Sequence, residues 1–400
     1  KASMIDAIIR NDGKVDINSS LGLTAALVMA VVGPEVFIVQ PGFVQGLVAY
    51  LGFSDQKAGF VASAEMFGIA ATTILLTFAA SRFNWRVVCA GSLLVMATAN
   101  LLCVFTDNLA LFTALRVLAG LGAGGLVSLS FTIVGLTAKP DRNFGYLIMW
   151  VLTYGAIALY LMPTAYALVG MDGVLIFFGA FPLAALAFVR FLPVSGEAAA
   201  QHEADSVNIG LRMKIFALFA MLSYFLAQGV VWAYLFLIGV KAGIGEQEVA
   251  NALTLSQFAG IAGALLAAVV GARFGRALPL MLGIAAGAVC LYFIVGEFSF
   301  LVFAATTFVY NFAWNMTHPF LMAAMASFDL RGRVVVYAVA MQMVGLAIGP
   351  ALAAAAIGDG QFVKVNILGA ALFVLSLALI LPPVLTQAKL AASAMQGSRA

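Results

Sequence analysis

The chain has 400 residues, of which 64% are hydrophobic and only 9% are charged, and its formal net charge is +3. An average soluble domain carries roughly 25% charged residues, so no globular core hides this much apolar surface and lipid must cover it. The composition excludes a soluble protein, and the small net charge gives no reason to expect a nucleic-acid partner.

Apolar stretches long enough to cross a bilayer as helices follow one another along almost the whole chain. Breaks at charged and turn-rich points predict twelve transmembrane helices, spans one to twelve, over 21–51, 57–79, 87–106, 109–137, 144–170, 173–193, 213–241, 247–271, 277–296, 299–327, 334–357 and 362–386. We therefore predict an all-α polytopic membrane protein.

A polar loop in the middle of the chain divides the spans into two sets of six. The predicted organisation is a cytoplasmic N-terminal tail, a first six-helix half, a cytoplasmic linker, a second six-helix half and a cytoplasmic tail, over 1–20, 21–194, 195–212, 213–387 and 388–400. An aqueous domain is absent from this prediction.

The distribution of Lys and Arg predicts the orientation, because short cytoplasmic loops collect basic residues. One set of alternate loops, with both tails, contains sixteen of them: Lys1, Arg10, Lys14, Arg82, Arg86, Lys139, Arg142, Arg190, Arg212, Lys214, Arg273, Arg276, Arg331, Arg333, Lys389 and Arg399. The opposite set contains three, Lys57, Lys241 and Lys364. We expect both termini in the cytoplasm and the protein in the cell's inner (cytoplasmic) membrane.

Span one contains a carboxylate in an apolar stretch, VVGPEVFIVQPGFVQGLV (31–48). Glu35 lies roughly 22 Å from the outer end of this span at 1.5 Å per residue, near the middle of a long helix. Pro34 and Pro41 each remove a backbone donor, and irregular backbone at this depth is tolerated where it faces a cavity. Gln40 adds a polar side chain between them. The alternative is a kink that serves packing alone.

Two further charged residues lie inside spans, Glu65 in span two and Arg116 in span four. Both are roughly 10 to 13 Å from the outer ends of their helices, so they share a depth. We expect them to form a carboxylate and guanidinium network with Glu35, in which the glutamates take up and release protons. Arg116 would modulate them or anchor an anionic substrate. The alternative is a static buried ion pair.

Polar and aromatic stripes occur in the second half of the chain. Span ten carries Asn311, Asn315 and His318 at i, i+4 and i+7, which places them on one helical face. The full set of predicted substrate-binding residues is Gln40, Arg116, Tyr224, Gln228, Trp232, Asn311, Trp314, Asn315, His318 and Gln342. Rings and amides suit a partly apolar organic solute, and hydrogen bonding between helices is the alternative explanation.

The inner loops of the two halves are similar to each other. ASRFNWR (80–86) after span two matches GARFGR (271–276) after span eight, and DRNFGY (141–146) after span four matches DLRGRVVVY (329–337) after span ten. The pairs are offset by 188 to 191 residues, about half the chain, which indicates duplicated six-helix halves. Halves with an even number of spans share one orientation in the membrane.

Span four carries an arginine followed by closely spaced glycines, LRVLAGLGAGG (115–125). With the loop arginines, this run resembles motifs of the major facilitator superfamily of secondary transporters, and the resemblance covers all twelve spans. It implies two pseudo-symmetric six-helix bundles, with spans one and four lining a central cavity. Glycine and proline predict helix hinges at Pro34, Pro41, Gly120, Gly124, Gly349 and Pro350.

We interpret the chain as a secondary active transporter that moves a small amphipathic organic solute by alternating access. Proton coupling is favoured because the sequence contains intramembrane carboxylates and no P-loop for ATP. A carboxylate near the arginine of span four resembles proton-driven efflux carriers, so the interpretation favours efflux antiport. The alternative is a proton-coupled uptake symporter, or a facilitator, for an organic anion held by Arg116.

A protein of a different class would be an intramembrane enzyme or a receptor. The chain offers only two histidines, His202 and His318, and no HExxH motif. We expect no enzymatic activity, no metal or cofactor, and a monomer whose partners are the substrate, protons and the lipid bilayer.

Overall fold

The computed structural model describes residues 15–106, 108–195, 206–271, 273–331, 333–358 and 361–397, and of 394–397 the backbone only. The predicted N-terminal tail up to residue 14, the central part of the predicted linker with His202, and the end of the C-terminal tail lie outside the described residues. Within the described ranges the secondary structure is entirely helical, which confirms the all-α fold class.

Fourteen α-helices make up the described part. They are α1 Ser20–Val32, α2 Glu35–Ile38, α3 Gln40–Ala49, α4 Asp55–Ala79, α5 Trp85–Cys103, α6 Leu109–Gly135, α7 Pro140–Ala185, α8 Leu211–Trp232, α9 Leu235–Lys241, α10 Glu246–Val270, α11 Ala277–Tyr292, α12 Phe300–Ser327, α13 Arg333–Ile357 and α14 Val363–Gly397. Short 3-10 helices follow α4 and α7, at Ala80–Arg82 and Leu186–Phe191.

Eight of these helices, α4, α5, α6, α7, α8, α10, α13 and α14, are long and apolar enough to cross a membrane. The other four predicted spans correspond to the broken first helix, the second part of α7, the shorter α11, and α12, which is 28 residues long. Gly170 in α7 has a φ of 65°, which a side chain would disfavour, and it marks the predicted end of span five. Twelve spans are consistent with this arrangement.

The chain divides into two compact units, with the boundary between residues 199 and 200. In the N-terminal unit α4 packs mainly on α6, and α5 packs on α6 and α7. The C-terminal unit repeats these pairings, because α10 packs on α12 and α11 packs on α12 and α14. The second, third, fourth and sixth spans of each unit therefore contact one another in the same way.

The first span of each unit is interrupted. Span one was predicted as one long span with irregular backbone at its prolines, and in the structure the helix ends at Val32, resumes for one turn at Glu35 and resumes again at Gln40. Pro34 stands at the first break, where its missing N–H removes a helical hydrogen bond. Pro41 lies in the first turn of α3, where helices tolerate proline. Span seven breaks between α8 and α9.

A buried arginine ties the start of α5 to the end of the sixth span. Arg86 was predicted in a loop, but the structure buries it in the first turn of α5. Its Nε donates a hydrogen bond of 2.6 Å to the carbonyl oxygen of Leu192, just after the 3-10 helix that follows α7. The backbone N–H of Trp85 donates to the carbonyl oxygen of Val194 at 2.8 Å. These bonds fasten α5 to the end of the sixth span.

Candidate functional site

Glu35 lies on α2, a four-residue helix with a backbone break on either side. Its exposed fraction is 0%, and neither carboxylate oxygen has a hydrogen-bond partner among the described residues. A buried polar group without such a partner is costly, and an ionised one costs far more. The cost of burying the Glu35 side chain is therefore not offset by hydrogen bonds from the described residues.

Glu65 and Arg116 form a buried ion pair across the crossing of α4 and α6. Arg116 Nη1 lies 3.7 Å from Glu65 Oε2, which is within ion-pair range but too long for a hydrogen bond. A Cβ on Gly120 would overlap the carbonyl oxygen of Glu65, and one on Gly68 would overlap the carbonyl oxygen of Val117. Only glycine lets the two backbones touch here, and this contact brings the two charges together.

The guanidinium of Arg116 is held from several sides. Its Nη2 donates a 2.6 Å hydrogen bond to Asn100 Oδ1 and lies 3.4 Å from Cys103 Sγ. The rings of Phe43 and Phe112 lie 5.6 and 5.8 Å from its central carbon. Its Nε has no hydrogen-bond partner in the part of the chain that the structure describes. Part of its donor capacity is therefore unused.

Glu35 interacts electrostatically with Glu65, Arg116 and the hydroxyl of Tyr154. These four side chains come from α2, α4, α6 and α7, and we call them the charge cluster. It holds two carboxyl groups and one guanidinium, so it is electrically neutral when one carboxyl group carries a proton. The Tyr154 hydroxyl is buried, and no described residue hydrogen-bonds to it.

Sequence reasoning identified three members of this region and missed Asn100 and Tyr154. Asn100 was visible as an amide inside the apolar span three, although nothing in the sequence connected it with Arg116. Tyr154 looked like any tyrosine of a membrane helix. Gln40 begins α3 and is buried, and its amide oxygen accepts no hydrogen bond from the described residues.

In the C-terminal unit the stripe of span ten forms a chain of amides along α12. Asn315 Nδ2 donates to Asn311 Oδ1 at 2.7 Å, and Asn311 Nδ2 donates to Ser256 Oγ on α10 at 3.2 Å. His318 Nε2 and Gln342 Oε1 on α13 are 3.3 Å apart. The stripe therefore contacts α10 and α13.

Aromatic rings surround these amides. The ring centroids of Trp314 and Trp232 are 5.8 Å apart with nearly perpendicular planes, and Tyr310 stands 6.0 Å from Trp314. Phe225 meets His318 edge-on at 5.1 Å. Edge-to-face rings at such distances attract one another.

The predicted substrate-binding residues of this unit differ in accessibility. Tyr224 and Gln228 are buried, and the hydroxyl of Tyr310 donates to the carbonyl oxygen of Gln228 at 3.4 Å. Trp232 and Asn311 are buried as well. The partly exposed members are Trp314, Asn315, His318 and Gln342.

The predicted hinge residues differ in whether the helix is broken or continuous at their positions. Pro34 stands at a break of the first span, whereas α6 is continuous through Gly120 and Gly124. A Cβ on Gly124 would lie 2.5 Å from the carbonyl oxygen of Ile69, so the structure gives this glycine a packing role. In the same way α13 continues through Gly349 and Pro350, and a Cβ on Gly349 would lie 2.6 Å from Gly229. A hinge at these four positions stays a prediction.

Comparison with known proteins identifies sequence relatives of two kinds. Two copies of a multidrug resistance protein B homolog, from strains of Mycobacterium tuberculosis, are 32% identical over 95 residues, which is 24% of this chain and 18% of theirs. A gentisate transporter of Corynebacterium glutamicum is 30% identical over 115 residues, 27% of this chain and 26% of that protein. The matches thus span about a quarter or less of these relatives.

A solved structure, that of the nucleoside transporter NupG, superimposes with a TM-score of 0.70 and 14% identity, covering 90% of this chain and 98% of that one. At this identity the likeness concerns the fold alone. The family model described as Major Facilitator Superfamily matches residues 25–350, most of the chain. The resemblance seen in the sequence is confirmed, and this membrane-spanning chain is a transporter-fold protein that belongs to the major facilitator superfamily.

Proposed function

We propose that this protein is a proton-coupled secondary transporter that exports a small amphipathic organic solute by antiport. The proposal rests on the surroundings of Glu35. Its carboxyl group is fully buried and has no hydrogen-bond partner among the described residues, and it lies on a single helical turn between two helix breaks. Helix breaks let this turn move without unfolding its neighbours, so the carboxyl group can meet water from one side and then the other.

Charge balance supports proton carriage by the charge cluster. Arg116 already has Glu65 as its counterion at 3.7 Å. A second ionised carboxylate would therefore add an uncompensated negative charge to a buried site, which is costly in low dielectric. Binding of a proton to Glu35 removes this charge, and binding of a cationic substrate would remove it too. Competition of this kind for one carboxylate is what couples two fluxes in opposite directions.

The substrate class follows from the partly exposed side chains of the C-terminal unit. Trp314 offers a ring face, and Asn315, His318 and Gln342 offer hydrogen-bonding groups. We propose that they contact a ring-bearing solute with polar substituents. One relative is named as a multidrug resistance protein B homolog and another as a gentisate transporter. Both names are consistent with the proposal that this protein carries an organic molecule.

The second candidate is uptake of an aromatic acid, and the gentisate transporter among the relatives favours it. It would require Arg116 to hold the substrate carboxylate. Nε and Nη1 of this side chain have no hydrogen-bond partner among the described residues, so donors are available. Its charge is already matched by Glu65, however, and for this reason we favour export. We further propose a monomer of the cytoplasmic membrane with both termini inside.

Proton-driven accumulation by sealed vesicles tests the function. Purified protein is reconstituted into vesicles loaded with a pH-sensitive dye, and ethidium or gentisate is added with the lumen acidic, alkaline or equilibrated. For export by antiport we expect ethidium to accumulate only in acidic vesicles, while the lumen becomes more alkaline. Gentisate accumulation in alkaline vesicles would establish uptake by symport instead. Equal entry under all three conditions, relative to protein-free vesicles, contradicts proton coupling.

Trp314→Ala tests the proposed substrate contact in the C-terminal unit. We expect the KM for the transported probe to rise about two- to twelvefold, since an aromatic contact contributes about 0.5 to 1.5 kcal/mol. The number of protons moved per solute should stay the same, because Trp314 is not in the charge cluster. The matched control is Trp150→Ala, since Trp150 is 52% exposed on the surface of α7. A Trp314→Ala protein with the KM of the control would remove this residue from the substrate site.

A further inference from the structure

Asn100 connects three helices of the N-terminal unit at the position of the charge cluster. It lies in α5 and is 1% exposed. Its Nδ2 donates a hydrogen bond of 3.0 Å to the carbonyl oxygen of Phe178 in α7, and its Oδ1 accepts the 2.6 Å bond from Arg116 Nη2 in α6. Both ends of the amide are therefore used.

The two partners determine how this amide is oriented. A carbonyl oxygen only accepts hydrogen bonds and a guanidinium only donates them, so the reversed amide would lose both interactions. The orientation holds Nη2 of Arg116 on the α5 side and leaves Nη1 pointing to Glu65. Because Asn100 is neutral, it orients the guanidinium without cancelling its charge.

The C-terminal unit contains the same kind of link without an arginine. Asn366 in α14 is 1% exposed, and its Nδ2 donates to the carbonyl oxygen of Ile294, just after α11, at 2.8 Å. The link again joins the third and sixth spans of its unit. Its Oδ1, however, accepts no hydrogen bond from the described residues. Joining these spans therefore does not require a bonded Oδ1, and in Asn100 this atom has the additional task of holding Arg116.

We propose that Asn100 is a positioning residue that reserves the charge of Arg116 for the two glutamates and so sets the pH at which Glu35 binds and releases its proton. The inference rests on the proposed function, in which Glu35 is the proton carrier. The titratable and charged groups that face this region are Glu65 from α4, Arg116 from α6, Tyr154 from α7 and, beside Arg116, Cys103 from α5.

Two substitutions should move the titration of Glu35 in opposite directions. Asn100→Asp has nearly the same shape but offers Arg116 a carboxylate, so less positive charge remains for Glu35 and the proton is held to higher pH. We expect a rise of about one pH unit in the midpoint. Asn100→Leu removes the acceptor, which frees Nη2 to approach the glutamates. The proton then leaves at lower pH, and the midpoint falls by about half a unit.

Infrared spectroscopy measures this midpoint without a substrate. The carbonyl band of a protonated carboxyl group is followed in the full-length protein from about pH 5 to about pH 9. Subtracting the spectrum of the same chain with Glu35→Gln isolates the band of Glu35 in the unmodified and Asn100→Leu backgrounds, and in the Asn100→Asp background it gives the band of Glu35 together with the change that Glu35 causes at the new carboxyl group. The matched control is Asn366→Asp, which alters the equivalent link and should leave the midpoint of Glu35 unchanged.

The outcomes separate the two hypotheses. Opposite shifts in the Asn100 variants, with no shift in the Asn366 variant, support the positioning role, since a general loss of stability would not move one group both ways. If Glu35 titrates in the unmodified chain and neither Asn100 variant shifts it, the positioning role is wrong. If the band of Glu35 is constant over the whole range in the unmodified chain, the proposed proton carrier is wrong.

Discussion

Glu35→Gln is expected to abolish accumulation driven by a proton gradient, reducing it to the level of protein-free vesicles. Glutamine has the size of a protonated glutamate, so the packing around α2 is retained, but its amide neither binds nor releases a proton in the physiological range. Ethidium accumulation and the accompanying proton movement should therefore both be lost, and binding of the ethidium cation should weaken because the carboxylate for which it competes with the proton is gone. Accumulation of ethidium in acidic vesicles, with the lumenal dye as a second readout, measures both effects.

A matched control for this change is Glu297→Gln. Glu297 is an exposed carboxylate in the connection between α11 and α12, and its neutralisation removes the same charge from the surface. Accumulation by this variant should equal that of the unmodified protein. If Glu35→Gln still concentrates ethidium in response to the gradient, another group carries the proton, and Glu65 becomes the first candidate.

The buried ion pair gives the second large effect. Arg116→Met should destabilise the protein by about 3 to 5 kcal/mol, because removal of one partner leaves a buried charge uncompensated. The change also removes the contacts of the guanidinium with Phe43 and Phe112. When Glu65→Met is added, part of the loss should be recovered, since the carboxylate that lost its partner is then gone. Unfolding free energies in detergent for the four proteins of this double-mutant cycle give the coupling energy.

For this cycle the control is Arg82→Met, because Arg82 is exposed in the 3-10 helix after α4. It should change the unfolding free energy by no more than about 0.5 kcal/mol. Strictly additive effects of Arg116→Met and Glu65→Met would mean that the 3.7 Å pair contributes nothing to stability. The charge cluster would then consist of independent groups, and the charge balance behind the proposed function would fail.

The proposed antiport and the proposed role of Asn100 require different chemical groups in and beside the charge cluster. Antiport needs a carboxyl group that changes its protonation, and Glu35 on its isolated helical turn meets this need. Orientation of Arg116 needs a neutral acceptor, and Asn100 supplies one. A carboxylate at position 100 would satisfy Arg116 better and would leave the glutamates with less positive charge. Under the proposal, the Asn100 amide binds Arg116 less strongly than a carboxylate would, and it leaves the positive charge of Arg116 to act on the proton of Glu35.

Sequence alone predicted the features of the protein that depend on the average character of many neighbouring residues. Hydropathy over about twenty residues is such an average, and it predicted the all-helical membrane fold and the positions of the spans. Single charged residues in apolar surroundings are equally visible, because inserting a charge into lipid is costly wherever the helix packs. For this reason Glu35, Glu65 and Arg116 could be singled out as a group.

Only the tertiary structure decided which side chains meet. The 3.7 Å between Glu65 and Arg116 depends on how closely α4 and α6 approach, and that approach depends on Gly68 and Gly120 lying at the crossing. The bond between Asn100 and Arg116 depends in the same way on the packing of α5 against α6. Distances across helices depend on the rotation and approach of both partners, and residues far apart in the chain determine these together.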